Sequence, residues 1–171
     1  EEKVFECREN MANLISANNP ENIIFTKNAT EAINIAIKGT LSRGDEVIIS
    51  SMEHNSVLRS AVNLEKNGVT VKIAKADLTG MVSAKEYESL ITSKTKLICV
   101  IHASNVVGTL NPIDEICSMA KRHNITTLVD CAQTGGIIPI DASKYDMLAF
   151  AGHKGLYGPF GTGVLYIRDG I

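Results

Sequence analysis

Tryptophan is absent from this chain of 171 residues, and aromatic residues of all kinds make up only 5%. Basic residues are scattered rather than clustered, and the formal net charge is -2. Neither feature suits a nucleic-acid surface, so no nucleic-acid partner is expected. Long apolar runs are missing too. None approaches membrane-spanning length and no cleavable signal opens the chain, so no membrane partner is expected. Cysteine is sparse: Cys7, Cys99, Cys117 and Cys131 form no CxxC pair, and the last three lie in apolar patterns. That usage fits buried free thiols in a reducing cytoplasm and predicts no metal site. The Walker A and GxGxxG patterns are also lacking, which disfavours nucleoside triphosphates and dinucleotides as ligands.

What is present is a globular composition, with 44% hydrophobic and 21% charged residues, enough for one domain with a real core. Short apolar runs alternate with helical patterns from end to end. Strands are predicted at 23–26, 46–50, 69–74, 97–101, 126–129, 147–150 and 164–167. Helices are predicted over 1–17, after Asn28 with Glu31 completing a capping box, over 56–66, after Ser83, and from Pro112 as first helical residue. Asp114 and Glu115 open this last helix and Lys121, Arg122 and His123 close it, matching the helix dipole. The alternation predicts a three-layer αβα domain of the α/β class with a mostly parallel, mixed sheet.

In such a sheet ligands gather beyond the carboxyl ends of the strands. The segments that follow strands here hold Asn28-Ala29-Thr30, Glu53-His54-Asn55, Ser104-Asn105, Asp130-Cys131-Ala132-Gln133 and Gly152-His153-Lys154. Ala29 and Thr30 open a helix, where free N–H groups suit a phosphate or simply a helix cap. Asp130 ends an apolar run and needs a cationic partner, either a salt bridge or a pyridinium nitrogen. Gln133 can donate a hydrogen bond to a phenolic oxygen or bond the backbone of its own loop. His54 offers a flat ring for stacking and proton relay, or is an incidental loop histidine. Asn105 reads as turn chemistry or as a contact to cofactor or substrate. His153 can donate to a phosphate. Lys154 follows an apolar run inside a glycine-rich turn, where a lysine held in an apolar cleft serves as a nucleophile. A lysine and a carboxylate at one sheet edge are what pyridoxal phosphate requires, the amine for a Schiff base and the acid for the ring nitrogen.

The run Phe150-Ala-Gly-His-Lys154-Gly-Leu-Tyr-Gly-Pro-Phe-Gly-Thr-Gly resembles the lysine motif of class V aminotransferase-fold enzymes, and within them the cysteine desulfurase and selenocysteine lyase branch. Phe25-Thr26-Lys27-Asn28-Ala29-Thr30-Glu31-Ala32, Met52-Glu53-His54-Asn55, Ser104-Asn105-Val106-Val107-Gly108-Thr109 and Val129-Asp130-Cys131-Ala132-Gln133 match in the same order. The resemblance implies a fold type I large domain over residues 1–171, cut from a longer protein, with pyridoxal phosphate as cofactor. Lys154 would form the Schiff base, Asp130 would hold the pyridine nitrogen, and Gln133 would bond the ring oxygen. His54 would stack on the ring, Ala29, Thr30 and His153 would hold the phosphate, and Asn105 would sit beside ring oxygen and substrate. It further implies removal of sulfur from L-cysteine to give alanine and an enzyme persulfide, a homodimer in the full-length protein and a sulfur-acceptor protein.

Two departures qualify the match. Ala151 stands where many desulfurases place a phosphate-binding serine, and none of the four cysteines matches the desulfurase thiol. Other class V reactions on an amino acid, transamination or β-elimination, remain open, as does a non-catalytic domain that retains only the fold.

Overall fold

The computed structural model describes residues 1–171. In chain order it contains α1 (Glu2–Leu14), β1 (Ile23–Thr26), α2 (Ala29–Thr40), β2 (Glu46–Ser50) and α3 (Asn55–Glu65). These are followed by β3 (Thr70–Ala74), α4 (Ala84–Glu88), β4 (Thr95–Ile101), α5 (Ile113–Arg122), β5 (Thr126–Asp130), β6 (Met147–Ala151) and β7 (Gly163–Ile167). The seven strands form one sheet in the order β1-β7-β6-β5-β4-β2-β3. Strands β2 to β6 pair in parallel, while β7 is antiparallel to both of its neighbours. Two reversals cancel, so β1 runs in the same direction as the parallel set. The predicted three-layer, mostly parallel mixed sheet is therefore the observed fold.

Central strands buried on both faces explain the layers. Val47, Ile49, Leu97, Cys99, Leu128 and Ala149 point into one core, shared with Ile33 and Ile37 of α2 and Val57 and Ala61 of α3. The alternate residues Ile48, Ile98, Val100, Val129, Leu148 and Phe150 point into the other, with Met11 of α1, Tyr87 of α4 and Ile116 of α5. Period-2 alternation thus assigns each strand residue to one of two helical layers. Because β2 leads to α3 on one face and β4 leads to α5 on the other, the connections diverge between β2 and β4. A crevice opens at such a divergence.

Local chemistry sets most boundaries. Asn28 caps α2 by accepting from Glu31 N–H at 2.9 Å, while the Glu31 carboxylate takes Lys27 N–H at 2.6 Å. The capping pair is present, shifted by one residue at its return bond. Helix α1 stops at Leu14, short of the predicted Ala17, because Ser16 adopts a φ of 55°. Pro112 is the cap of α5 rather than its first helical residue. Its neighbour Asn111 is drawn away, accepting from Val82 N–H and donating to Ile101 C=O, both at 2.9 Å.

Glycine matters most where two backbones meet. A Cβ at Gly163, the first residue of β7, would lie 2.6 Å from Asn28 Cα. Gly163→Ala therefore forces β7 away from the start of α2 and should cost about 1–3 kcal/mol. Gly39, inside α2, has open space around it, so Gly39→Ala should stabilise by about 0.5–1 kcal/mol. Urea unfolding midpoints of the two variants should move in opposite directions.

Candidate cofactor site

The carboxyl ends of β1, β2, β4, β5 and β6 share one edge, and the loops leaving them enclose a cavity of about 170 Å³. Ala29, Thr30, His54, Asn105, Asp130, Gln133, His153 and Lys154 all line it, together with Asn28, Ser56, Ile101, Ala132 and Ala151. Every candidate residue named from the sequence is thus brought to one place.

One wall is the start of α2. Asn28 spends its side chain on Glu31 N–H, which leaves the Ala29 and Thr30 N–H groups, the first two of the helix, without acceptors in the chain. Free N–H groups at a helix N-terminus form an anion cradle. The second wall is the start of α3, and His54 is its cap. Its Nδ1 accepts from Ser56 N–H at 3.2 Å and contacts Ser56 Oγ at 2.8 Å. A neutral ring bonded in this way carries its proton on Nε2.

Asp130 forms the floor at the end of β5 and is 4% exposed. Its Oδ1 accepts from Ala132 N–H at 2.9 Å. Burial pushes its carboxyl above the usual carboxylate range, while that hydrogen bond and the nearby His54 and Lys154 side chains oppose the rise. The loop beyond it, which carries Gln133, is pinned by His102 Nδ1 against Thr134 Oγ1 at 2.9 Å.

Lys154 and His153 lie in the turn between β6 and β7, and both are half-buried. The turn is drawn tight by Gly152 N–H to Thr162 C=O at 2.9 Å and Gly158 N–H to Gly152 C=O at 2.7 Å. Lys154 makes no ion pair. The His153 ring stacks on Phe160 with centroids 5.1 Å apart, and its Nδ1 is sheltered from solvent without a partner. A sheltered nitrogen without a partner, lining the same cavity as the free helix N–H groups, suits an acceptor such as a phosphate oxygen.

Sequence reading missed three residues here. Ser56 is identified only by the cap it shares with His54. Ala132 contributes a backbone N–H, which no side-chain pattern reveals. Glu53 lies beneath the floor and was read only as part of a motif. Its Oε1 accepts from Ser50 Oγ at 2.7 Å and from Ile101 N–H at 2.9 Å. Cysteine is absent from the lining. Cys99, Cys117 and Cys131 are buried and Cys7 is exposed on α1. Burial pushes the Cys117 thiol up to about 12 and those of Cys99 and Cys131 well above the usual range.

Comparison with known proteins agrees with this geometry. A probable cysteine desulfurase of Methanothermobacter thermautotrophicus is 41% identical over 172 residues, covering 99% of this chain and 43% of that protein. The cysteine desulfurase IscS of Dictyoglomus turgidum is 39% identical, covering 96% of this chain and 43% of the relative. The chain therefore spans less than half the length of these curated relatives. Among solved structures, the apo cysteine desulfurase of Thermococcus onnurineus superposes with a TM-score of 0.91 at 35% identity, covering 98% of this chain and 43% of that one. SspA in complex with cysteine superposes equally well, with a TM-score of 0.91 at 36% identity, covering 97% of this chain and 49% of that one. The sheet is thus the fold type I arrangement that the sequence motifs implied. The family match runs over residues 1–171, and the chain belongs to the class V aminotransferase family.

Proposed function

We propose that residues 1–171 are the cofactor-binding large domain of a longer, pyridoxal-phosphate-dependent cysteine desulfurase. The convergence of Lys154 and Asp130 on one cavity carries this reading. Three features fit the cofactor. The free N–H groups of Ala29 and Thr30, with Thr30 Oγ1 and the unsatisfied His153 Nδ1, suit a phosphate. The buried Asp130 carboxyl suits a ring nitrogen that carries a proton. Lys154, free of ion pairs, suits an aldehyde. Ala151 supplies no hydroxyl where many desulfurases have one, so the phosphate rests more heavily on the helix and His153.

When bound, pyridoxal phosphate supplies the electron sink for carbanion chemistry at the substrate α-carbon. The chain's residues do the rest. Asp130 would hold the proton on the ring nitrogen, in a buried floor that keeps water from that bond. Gln133 would donate to the ring oxygen, and Asn105 would stand beside that oxygen and the substrate. His54 would cover the ring face. Lys154 Nζ would anchor the cofactor, and its amine would serve as the base for the substrate α-proton.

Cysteine is the substrate favoured by the names of the relatives and by the cysteine complex of SspA. In that reaction the substrate C–S bond breaks, sulfur passes to an enzyme thiol as a persulfide, and alanine leaves. The cavity lining contains no cysteine, so the accepting thiol must come from outside it. A homodimer, a sulfur-acceptor protein and a cytoplasmic location complete the reading. No helix is long and apolar enough to cross a membrane.

Borohydride treatment of the chain with pyridoxal phosphate should trap the cofactor on the peptide carrying Lys154, and Lys154→Ala should abolish the adduct in mass spectra. Trapping that persists in the variant defeats the assignment. Asp130→Asn should weaken cofactor binding roughly 10- to 100-fold in absorbance titrations, the equivalent of about 1.5–3 kcal/mol for a hydrogen bond to a charged group. Unchanged affinity would remove Asp130 from its role. Loaded with cofactor, the 171-residue chain should release sulfide from cysteine slowly or not at all, and brisk release would show that no outside thiol is needed.

A further inference from the structure

Two buried polar residues stand behind the cavity without lining it. His102 is 8% exposed and Thr134 is 2% exposed. His102 is the first residue after β4. Its N–H donates to Asp130 C=O at 3.0 Å, and its C=O accepts from Asn111 N–H at 2.9 Å. Main chain thus fixes His102 on both sides. From that fixed point the ring reaches the turn that leaves β5, where Nδ1 is hydrogen-bonded to Thr134 Oγ1 at 2.9 Å. Burial holds the imidazole below its usual pKa, against the opposing pull of Asp114. The ring is therefore neutral near pH 7, with one donor and one acceptor nitrogen.

Thr134 closes the turn. Its N–H and that of Gly135 donate to Cys131 C=O at 3.1 and 2.8 Å, and its C=O accepts from Ile137 and Ile138 N–H at 3.0 and 2.9 Å. Between Cys131 and Thr134 stand Ala132, whose N–H grips Asp130 Oδ1, and Gln133, which lines the cavity. Gln133 is half-buried, and its side-chain amide takes no part in the hydrogen bonds around it. Where that amide stands is decided by the backbone of the turn.

We propose that His102 is a positioning residue for the cavity: through Thr134 it fixes the turn from Cys131 to Thr134, and thereby the place of the Gln133 amide. Two polar groups shut off from water are costly to leave unpaired, so ring and hydroxyl hold each other in one arrangement. The consequence for the reaction rests on the cofactor reading above: a Gln133 held in place meets the ring oxygen without first having to be ordered. The tie itself belongs to the chain without cofactor, and that allows a separate test.

Gln133 is the only glutamine in the sequence. Glutamine labelled with ¹⁵N at its side chain therefore gives a single pair of amide signals. In the cofactor-free chain, Thr134→Val keeps the shape but removes the hydroxyl, and it should move or broaden that pair. Thr134→Ser keeps the hydroxyl and should leave the pair in its original place. His102→Leu should act like Thr134→Val, and the two together should do no more than either alone. His102→Asn, which sets a polar atom near the position of Nδ1, should keep the original signals. The Thr134 variants decide the matter even where His102→Leu fails to fold. If the bond serves stability alone, Thr134→Val lowers the urea midpoint and leaves the Gln133 signals where they were. That result, or displaced signals in the serine variant, overturns the proposal. Titration with pyridoxal phosphate reports separately on the cofactor reading. Thr134→Val should bind it about 2- to 10-fold more weakly, as for the loss of one hydrogen bond. Unchanged affinity beside moved Gln133 signals would count against the contact of Gln133 with the ring oxygen and leave the tie to His102 standing.

Discussion

A carboxyl buried at the end of a central strand is the constraint around which this molecule is arranged. Asp130 lies at the tip of β5, flanked in the sheet by Ile101 of β4 and Ala149 of β6. In that position a negative charge is costly unless cations and N–H donors face it. The chain supplies Ala132 N–H directly and places His54 and Lys154 nearby. These come from three separate connections, so the demands of one acid tie together distant parts of the sequence. A cationic ligand nitrogen would meet the same need.

The sheet makes this convergence possible. Each parallel strand delivers its following loop to the same edge, and the antiparallel insertion of β7 leaves β1 pointing the same way. The start of α2 therefore arrives beside loops that come much later in the chain. Two helical layers hold the strands through opposite faces, which leaves the strand ends as the region where polar groups can collect.

Much of this was legible in the sequence, for physical reasons. Strands such as Leu97–Ile101 are unbroken apolar runs because both faces are covered. Strands β1 and β2 occupy the predicted residues because proline, glycine or a helix cap bounds them. The cavity residues were legible because strand ends in a parallel sheet are the first polar positions after apolar runs. What was not legible depends on contacts between distant segments. The start of α5 was read from Pro112 alone, yet the Asn111 amide before it joins Ile101 to Val82. His54 was read as a stacking ring or an incidental loop histidine, and neither reading includes the cap it gives α3 through a ring nitrogen. Glu53 lies next to His54 in sequence, but its burial under the end of β4 depends on the β2–β4 pairing. The end of α1 was misjudged because the left-handed turn at Ser16 carries no glycine to announce it.

Gly163 brings one more consequence. Because the first residue of β7 rests directly against the backbone of Asn28, the loop bearing the lysine and the loop offering the helix amides are braced there main chain against main chain. Their spacing at that point leaves no room for a side chain. Substitutions across the outer helical surfaces can accumulate without loosening the grip on an anion, whereas drift at this single position would alter the bore of the whole pocket.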